Sequence, residues 1–277
     1  MPLIVFAVVM FAALLHAGWN VIVKSAHDKF LTTIIVTASA AGLSAALLPF
    51  VTAPAPASWA YAAASAVLQI AYFLLIARTY QIADMSQAYP LMRGTAPIIV
   101  AFVSVFQMGD VLSPIGWAGV IAICLGIFTM ALGDRANDRK GISLALLNAL
   151  VIAGYTLIDG AGVRRSGAPA AYTLWVFLLT GLPLALWAAS ARKAAFFPYF
   201  GRHWRLGLAG GVATTASYGL ALWAMTVAPV AVVAALRETS ILFGTLLAGL
   251  VLKEHIGPRR VISACIIACG AAILPLA

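Results

Sequence analysis

Charged residues are scarce in this sequence. They make up 9% of its 277 residues, whereas 64% of the residues are hydrophobic. A soluble globular domain contains about 25% charged and about 45–50% apolar residues, so the scarcity of charge excludes an ordinary soluble fold. A lipid bilayer accounts for this composition, because each membrane-spanning helix needs roughly 20 predominantly apolar residues.

Cysteine is scarce as well. The three cysteines are Cys124, Cys265 and Cys269, and all of them lie in apolar stretches without a CxxC pair. This pattern argues against both a disulfide framework and a zinc site, so we expect no metal and no cofactor. The sequence also has no HExxH motif and no histidine placed to serve a nucleophile at the same depth. An intramembrane enzyme is therefore only the alternative from another functional class, and we do not expect an enzyme.

Acidic residues are the scarcer of the two charge types, with 8 acidic against 17 basic residues and a formal net charge of +9. A basic excess can indicate nucleic-acid binding, but here the basic residues are scattered through short loops between apolar runs. Loop charge of this kind is typical of membrane topology, so we expect no nucleic-acid partner.

The apolar runs predict ten transmembrane helices. The predicted ranges are 3–23, 30–51, 59–80, 84–107, 114–133, 141–163, 170–191, 205–226, 228–252 and 258–276. The division between helices 3 and 4 depends on Gln81 to Asp84, and that between helices 8 and 9 on Pro229, which lacks a backbone donor. No basic segment precedes the first apolar run, so we interpret it as a retained helix and not as a cleaved signal.

The basic loop residues predict the orientation of these helices. Of the 17 Lys and Arg residues, 13 fall in the odd-numbered loops. They are Lys24, Lys29, Arg78, Arg135, Arg139, Lys140, Arg192, Lys193, Arg202, Arg205, Lys253, Arg259 and Arg260. Only Arg164 and Arg165 fall in the even-numbered loops. Because cytoplasmic loops are enriched in Lys and Arg, we expect both termini outside and the 135–140 loop in the cytoplasm.

The sequence repeats itself without gaps at an offset of 144. The matched pairs are Ala77 and Ala221, Arg93 and Arg237, Thr95 and Thr239, Asp110 and Glu254, Pro114 and Pro258, and Gly126 and Gly270. At another offset, Gly18-Trp19-Asn20 meets Gly154-Tyr155-Thr156. These matches predict two five-helix halves, 1–135 and 136–277. Because five is odd, the second half enters the membrane inverted, which is a widespread transporter architecture with a site near the midplane.

Two intramembrane arginines are the main candidates for substrate binding. Arg93 lies about ten residues into the fourth helix, and Arg237 is its repeat mate. Intramembrane charges are expensive and commonly functional, although a structural pairing with acids is the alternative reading. Pro90 and Pro97 flank Arg93, and we expect them to loosen the helix and expose backbone groups to a cavity. Glu238, beside Arg237, can neutralise an arginine such as Arg93, bind a substrate amine or carry a proton.

Other polar residues within the helices complete the candidate site. Trp19 and Tyr155 are repeat mates that can form a cavity wall, and Asn20 and Tyr89 lie close to the candidate residues in sequence. His16 and Asp159 join Glu238 as candidates for proton coupling, because histidine titrates near neutral pH and buried acids are rare in membranes. For each of these residues, a structural role in the bundle is the simpler alternative.

The duplicated helix-end pattern resembles the drug/metabolite transporter superfamily, in its ten-helix EamA-type branch. It reads Gly109-Asp110-(x3)-Pro114-(x11)-Gly126 in the first half and Lys253-Glu254-(x3)-Pro258-(x11)-Gly270 in the second. The first copy has Asp110 where this family usually carries glutamate. The resemblance implies a proton-linked or facilitative transporter of small metabolites or drugs, often working outward, with the fourth and ninth helices beside a central cavity.

We therefore expect an all-α integral membrane protein that moves an amino acid or another zwitterionic or anionic solute by alternating access. The resemblance favours export across the plasma membrane, here a bacterial inner membrane. The expected partners are the small-molecule substrate, the lipid bilayer and, as a candidate coupling ion, the proton; a monomer is compatible with this function. The alternative within transport is multidrug efflux of lipophilic cations, for which an unpaired buried acid would be typical.

Overall fold

The chain folds into α-helices, and a computed structural model describes residues 1–82, 85–131, 139–251 and 257–276. No strand occurs within these ranges. The helices are α1 (Leu3–Ser25), α2 (Lys29–Leu47), α3 (Trp59–Ile82), α4 (Met85–Gln107), α5 (Pro114–Ala131), α6 (Arg139–Ser166), α7 (Pro169–Ala191), α8 (Lys193–Met225), α9 (Val230–Arg237), α10 (Ser240–Val251) and α11 (Pro258–Ile273). Short 3-10 turns follow α2, precede α3 and follow α11.

The surface of the bundle is apolar, while polar groups lie inside it. Large side chains such as Phe106 and Leu74 are 75% and 64% exposed, whereas Asn148 and Asp159 are fully buried. Eight helical segments of the described chain are long and apolar enough to cross a membrane, and Pro114–Met130 is a shorter apolar helix. Because lipid replaces water around such a surface, the predicted all-α, multi-pass membrane fold is confirmed.

The eighth helix begins earlier than the sequence predicted. We expected the range 205–226, but α8 starts at Lys193, so residues assigned to a loop form its first turns. These turns pack against the start of α2, where the Tyr199 hydroxyl oxygen lies 2.6 Å from Thr32 Oγ1. The same Tyr199 hydroxyl donates to the carbonyl oxygen of Asp28 at 3.2 Å. Tertiary packing of one helix face thus stabilises turns whose basic residues suggested a loop.

The fourth and ninth helices differ from the prediction in opposite ways. The helix α4 is continuous through Pro90 and Pro97, which we expected to loosen it. The break occurs in the second copy, where Glu238 and Thr239 separate α9 from α10. There the backbone N–H groups of both residues bond three residues back, as in a 3-10 turn. Thr239 Oγ1 also donates to the Leu236 carbonyl oxygen at 2.6 Å, and such side-chain competition disturbs helices without proline.

The even-numbered loops and both chain ends lie at one end of the bundle. The N–H of Ala55, in the second loop, donates to the carbonyl oxygen of Ser166, at the sixth loop, at 2.8 Å. The amino group of Met1 donates to the carbonyl oxygen of Pro275 at 3.4 Å. The helices therefore alternate in direction as the topology prediction requires. Which side of the membrane this end faces stays a prediction.

The contact between α5 and α11 is reciprocal. A Cβ atom added to Gly126 would lie 2.7 Å from Ile267 Cγ1, and one added to Gly270 would lie 2.9 Å from Ile123 Cγ1. The offset of 144 converts each of these two contacts into the other. Close approach of helix backbones through small residues is typical of packing in membranes. This geometry is what a two-fold relation between the halves would produce.

Other helix pairs follow the same correspondence. The pair α1 and α8 mirrors α3 and α6, and the packing of α1 on α9 and α10 mirrors that of α6 on α4. This pattern supports the inverted repeat, but the division into 1–135 and 136–277 stays a prediction. Its boundary with Arg135, the helix 3–4 break at Asp84 and the Lys253-Glu254 motif lie outside the described residues.

Candidate functional site

A small pocket lies between α4, α6 and α9. Its lining residues are Arg93, Ala96, Pro97, Val100, Ile152, Tyr155, Thr156, Ala234, Arg237 and Glu238. Its volume is about 10 Å³, which is close to the minimum that one water molecule needs. The pocket is therefore too small for an organic solute in this conformation, and the three helices must separate before one can enter.

Arg93 and Glu238 form a buried ion pair across the pocket. Arg93 Nε lies 2.8 Å from Glu238 Oε2, and the two side chains are only 8% and 7% exposed. The N–H group is not aligned with the oxygen, so the contact is electrostatic and lacks hydrogen-bond geometry. Arg93 Nη2 is buried and has no hydrogen-bond partner among the described residues. The structure thus joins the two candidate residues and leaves two guanidinium nitrogens, Nε and Nη2, without a hydrogen bond.

Arg237 lies on the same pocket wall in a different environment. Its guanidinium carbon lies 4.8 Å from the centre of the Tyr218 ring, a cation–π arrangement. No carboxylate within the described ranges pairs with it at salt-bridge distance. The pocket wall therefore carries two arginines and one carboxylate, and its net charge is positive when Glu238 is ionised.

Tyrosines surround the charged residues on one side. Tyr155 lines the pocket, and its ring meets that of Tyr72 edge to face with centroids 6.1 Å apart. Tyr89 is half-buried on α4 and packs against the core without lining the pocket. Of these residues, sequence reasoning selected Tyr155 and Tyr89, and the structure brings only Tyr155 to the pocket wall.

The candidates on α1 contact one another and do not line the pocket. Trp19 Nε1 donates to His16 Nδ1 at 3.3 Å, and the two rings meet edge to face with centroids 5.4 Å apart. Asn20 Nδ2 donates to the carbonyl oxygen of His16 at 2.7 Å. Among the described residues, the side-chain hydrogen bonds of Trp19 and Asn20 are local to α1 in this conformation. Their predicted roles in substrate binding and proton coupling stay predictions.

Asp159 is fully buried in a separate polar cluster. Its carboxylate accepts hydrogen bonds from Ser65 Oγ at 2.8 Å, Tyr172 Oη at 2.9 Å and Tyr218 Oη at 2.5 Å. Tyr218 therefore contacts Asp159 through its hydroxyl and Arg237 through its ring. This cluster links α3, α6, α7 and α8 one layer behind the pocket. Within the described residues, no group of three or more His, Cys, Asp or Glu is placed to hold a metal ion.

Sequence reasoning found the charged lining residues of the pocket and missed most of the small and apolar ones. The signal that could have found them is helical spacing. Ala96, Pro97 and Val100 lie three, four and seven positions after Arg93, and Ala234 lies three positions before Arg237. Residues at these spacings share one face of a helix. Once an arginine is assigned to a cavity, its helical neighbours on that face follow.

Comparison with known proteins supports the membrane-transporter interpretation. One solved crystal structure has the same fold, with a TM-score of 0.76 and 18% identity over 100% of this chain and 98% of that chain. At this identity the likeness shows the fold alone. None of the curated proteins matches the chain. Residues 139–275 match the EamA-like transporter family, which confirms the resemblance and identifies the chain as a multi-pass membrane transporter of the drug/metabolite type.

Proposed function

We propose that this transporter carries a small organic solute with an anionic group, such as an amino acid or another zwitterionic or anionic metabolite. Arg93 and Arg237 bind that group in the pocket between α4, α6 and α9. The observation that carries the proposal is the charge of this pocket, where two arginines face a single carboxylate. A planar guanidinium matches a carboxylate with two parallel hydrogen bonds, which a lysine cannot reproduce.

The two arginines have different parts in the proposed binding step. Arg237 touches the Tyr218 ring but no acid among the described residues, so its donors are open to a substrate. Arg93 is paired with Glu238 and has a buried donor, Nη2, without a partner. Because a buried unpaired donor is costly, a substrate oxygen at this position gains free energy by satisfying it. We infer that Arg237 meets the substrate first and that Arg93 completes the site.

Alternating access supplies the transport step in this proposal. The arginines lie on α4 and α9, which occupy equivalent positions in the two halves, so rocking of one half against the other would expose the pocket to each side in turn. Because the pocket is too small for a solute in this conformation, the same movement would also have to widen it. Export across the bacterial inner membrane, with both termini outside, is the direction and location that we propose.

Proton coupling follows if the substrate competes with Glu238 for Arg93. A carboxylate that loses its cationic partner in a buried site is expensive in its ionised form and tends to take up a proton. Binding of one anion would then be accompanied by uptake of one proton from solvent at Glu238. His16 and Asp159 are the other candidates, but neither contacts the substrate pocket in this conformation.

The test combines flux and binding measurements on purified protein. Proteoliposomes are assayed with a panel of amino acids, monocarboxylates and lipophilic cations, and binding is followed by ligand-induced thermal stabilisation. Arg93→Lys and Arg237→Lys should each weaken the affinity for the transported anion about 10- to 100-fold, which is the loss of a charged hydrogen bond worth about 1.5–3 kcal/mol. Arg202→Lys, at an exposed arginine on the first turns of α8, is the matched control and should leave affinity unchanged.

Several outcomes would contradict the proposal. Transport of lipophilic cations without any anionic substrate would favour multidrug efflux. Unchanged affinity in both lysine variants would remove the arginines from the binding site. A loss of thermal stability with unchanged affinity in the folded fraction would assign both arginines to structure.

A further inference from the structure

Arg164, in the last turn of α6, binds three groups outside its own helix. Its Nε donates to the carbonyl oxygen of Met225 at 2.8 Å, and its Nη2 donates to that of Ala228 at 3.0 Å. Its Nη1 donates to Asp110 Oδ1 at 2.9 Å. Met225 is the last residue of α8, so the cation meets the negative end of that helix dipole. One side chain therefore joins α6, the end of α8 and the turn after α4.

Asp110 completes the arrangement from the other side. Its second oxygen, Oδ2, accepts a hydrogen bond from the backbone N–H of Val230 at 2.7 Å. Val230 is the first residue of α9, where a carboxylate is favoured by the helix dipole and satisfies an otherwise unpaired donor. Gly109 has a φ of +74°, and the N–H of Asp110 donates to the Ser104 carbonyl oxygen at 3.1 Å. A left-handed glycine thus turns the chain so that Asp110 faces α9.

The four bonds of Arg164 and Asp110 hold together the ends of α4 and α9, two of the three helices that border the pocket. Asp110 follows α4, Val230 begins α9, and the carbonyl groups bound by Arg164 lie at the end of α8 and in the turn before α9. The Arg164 side chain is 28% exposed, whereas that of Asp110 is 7% exposed, so water reaches one partner of the ion pair. Next to them, a surface pocket of about 70 Å³ is lined by residues 111–113 and 227–229. The ion pair therefore lies between the surface at this end and the start of α9.

We propose that Asp110 and Arg164 form a gate that closes the even-loop end of the transporter. While the gate is shut, the start of α9 is fixed against the turn after α4, and the central pocket has no route to this end. When the gate opens, α9 moves away from α4 and the pocket faces this side of the membrane. The inference does not depend on the charge of the substrate or on the roles of Arg93 and Arg237.

The closed state gains its preference from the bonds that only it contains. An interaction that favours one of two conformations typically changes the ratio of the two 5- to 150-fold. Removing the charge of Asp110, or the guanidinium group of Arg164, should therefore raise the ratio of open to closed molecules about tenfold or more. The conservative changes Asp110→Glu and Arg164→Lys should give smaller shifts, because each keeps the charge.

The first measurement follows the distance across the gate. Spin labels are attached at Val111 and Val227, exposed positions on the two turns that the gate joins, in protein whose three cysteines are replaced by alanine. Distances are measured by double electron–electron resonance in nanodiscs for Asp110→Asn and Arg164→Gln. Arg165→Gln is the matched control, because Arg165 bonds the Ala161 carbonyl of its own helix and stacks on Tyr61. We expect a longer-distance population in the two gate variants and none in the control.

The second measurement asks whether the pocket opens. Ala234→Cys, at the pocket wall, is labelled with a membrane-impermeant thiol reagent in right-side-out and inverted vesicles. Val111→Cys reports in parallel which vesicles expose the even-loop end, and its labelling in intact cells also tests the predicted orientation. The gate variants should raise the labelling rate of Ala234→Cys about tenfold, and only from the side that labels Val111→Cys.

The results separate the gate from a purely structural ion pair. Distances that are unchanged in folded gate variants, or lengthened equally in Arg165→Gln, would overturn the proposal. Longer distances without faster labelling of Ala234→Cys would also overturn it, because the turns would move without opening the pocket. If Asp110→Asn does not fold, the graded pair Arg164→Lys and Arg164→Gln gives the same test. Failure of the substrate proposal leaves these distance and labelling results unaffected.

Discussion

The interface between α5 and α11 is reciprocal, whereas the interface between α4 and α9 is not. In the first, Gly126 packs on Ile267 as its counterpart Gly270 packs on Ile123. In the second, Arg93 pairs with Glu238, while its counterpart Arg237 forms no salt bridge with an acid of the described residues. A two-fold scaffold needs matched packing on its axis, but a binding site gains specificity from unmatched charge. The comparison suggests that the two-fold relation is kept where the predicted halves pack and is lost at the proposed binding site.

The two predicted halves also differ in the size of the side chains next to the ion pair. The counterpart of Glu238 is Gly94, where an added Cβ atom would lie 3.0 Å from the Phe128 ring. The counterpart of Phe128 is Ala272. An aromatic ring therefore occupies, in the first half, the space next to the position at which the second half carries a carboxylate. Size and charge change together between the two copies.

The acid of the polar cluster behind the pocket, Asp159, also has no acidic counterpart in the first half. Asp159 and Tyr218 bond each other in the second half. The offsets of the repeat assign Val23 and Leu74 as their counterparts, and neither can make a polar contact with its side chain. The two buried acids that lie near Arg93 and Arg237 in the described core, Asp159 and Glu238, thus both belong to the predicted second half.

Glu238→Gln should have the largest effect on stability, because it removes the ion pair between α4 and the residue after α9. The substitution keeps the shape of the side chain but leaves Arg93 buried without compensation, so we expect a loss of about 3–5 kcal/mol in the free energy of unfolding. Reversible unfolding in detergent measures this. Arg237→Gln, which removes a cation without an ion pair, is the comparison and should cost clearly less. A loss below about 1 kcal/mol for Glu238→Gln would show that the pair contributes little.

A variant that moves the carboxylate from position 238 to position 94 tests whether the two halves are interchangeable at the ion pair. The variant that combines Glu238→Gly, Gly94→Glu and Phe128→Ala places an acid where the two-fold relation would face it toward Arg237. Relative to Glu238→Gly with Phe128→Ala alone, we expect it to be more stable by about 2 kcal/mol, a part of what a buried pair loses when broken. Equal or lower stability would mean that the two halves are not interchangeable at this site.

Gly126→Ala and Gly270→Ala test the matched interface. Each new methyl group would overlap an isoleucine of the opposite helix, and overpacking of this kind costs about 1–3 kcal/mol. Because the contacts are reciprocal, the two losses should be similar in thermal unfolding. Gly42→Ala is the control, since nothing lies within 4 Å of an added Cβ atom there, and it should be neutral or stabilising. Strongly unequal losses would argue against a two-fold axis at this interface.

Tyr218→Phe tests the polar cluster with the smallest expected effect. It removes one hydrogen bond to Asp159 but keeps the ring that Arg237 stacks on, and Ser65, Tyr172 and Gln69 still donate to the carboxylate. We expect a loss of about 1 kcal/mol in stability. Leu74→Phe, at the lipid-exposed counterpart, should have no effect on thermal unfolding. A loss well above that of Glu238→Gln would make this cluster, and not the ion pair, the main polar contact of the core.

Sequence reasoning succeeded where the signal is local or repeated. Apolar runs predicted the helices because spanning segments have a minimum length, and the offset of 144 selected Arg93 and Arg237. It failed at the start of α8, where contacts of Tyr199 with α2 stabilise helical turns that carry loop-like charges. It also assigned the irregular helix to the proline-containing copy, whereas the break lies at Glu238 and Thr239, whose backbone N–H groups bond three residues back.

The sequence by itself determined the membrane class, the helical fold and the duplicated arginines, because these depend on composition, length and repetition along one chain. Only the tertiary structure decided that Arg93 pairs with Glu238, that Arg237 stacks on Tyr218 and that Arg164 meets Asp110. These partners are between 19 and 145 positions apart in sequence. Their distances are set by how the helices pack and rotate, and no local pattern contains that information.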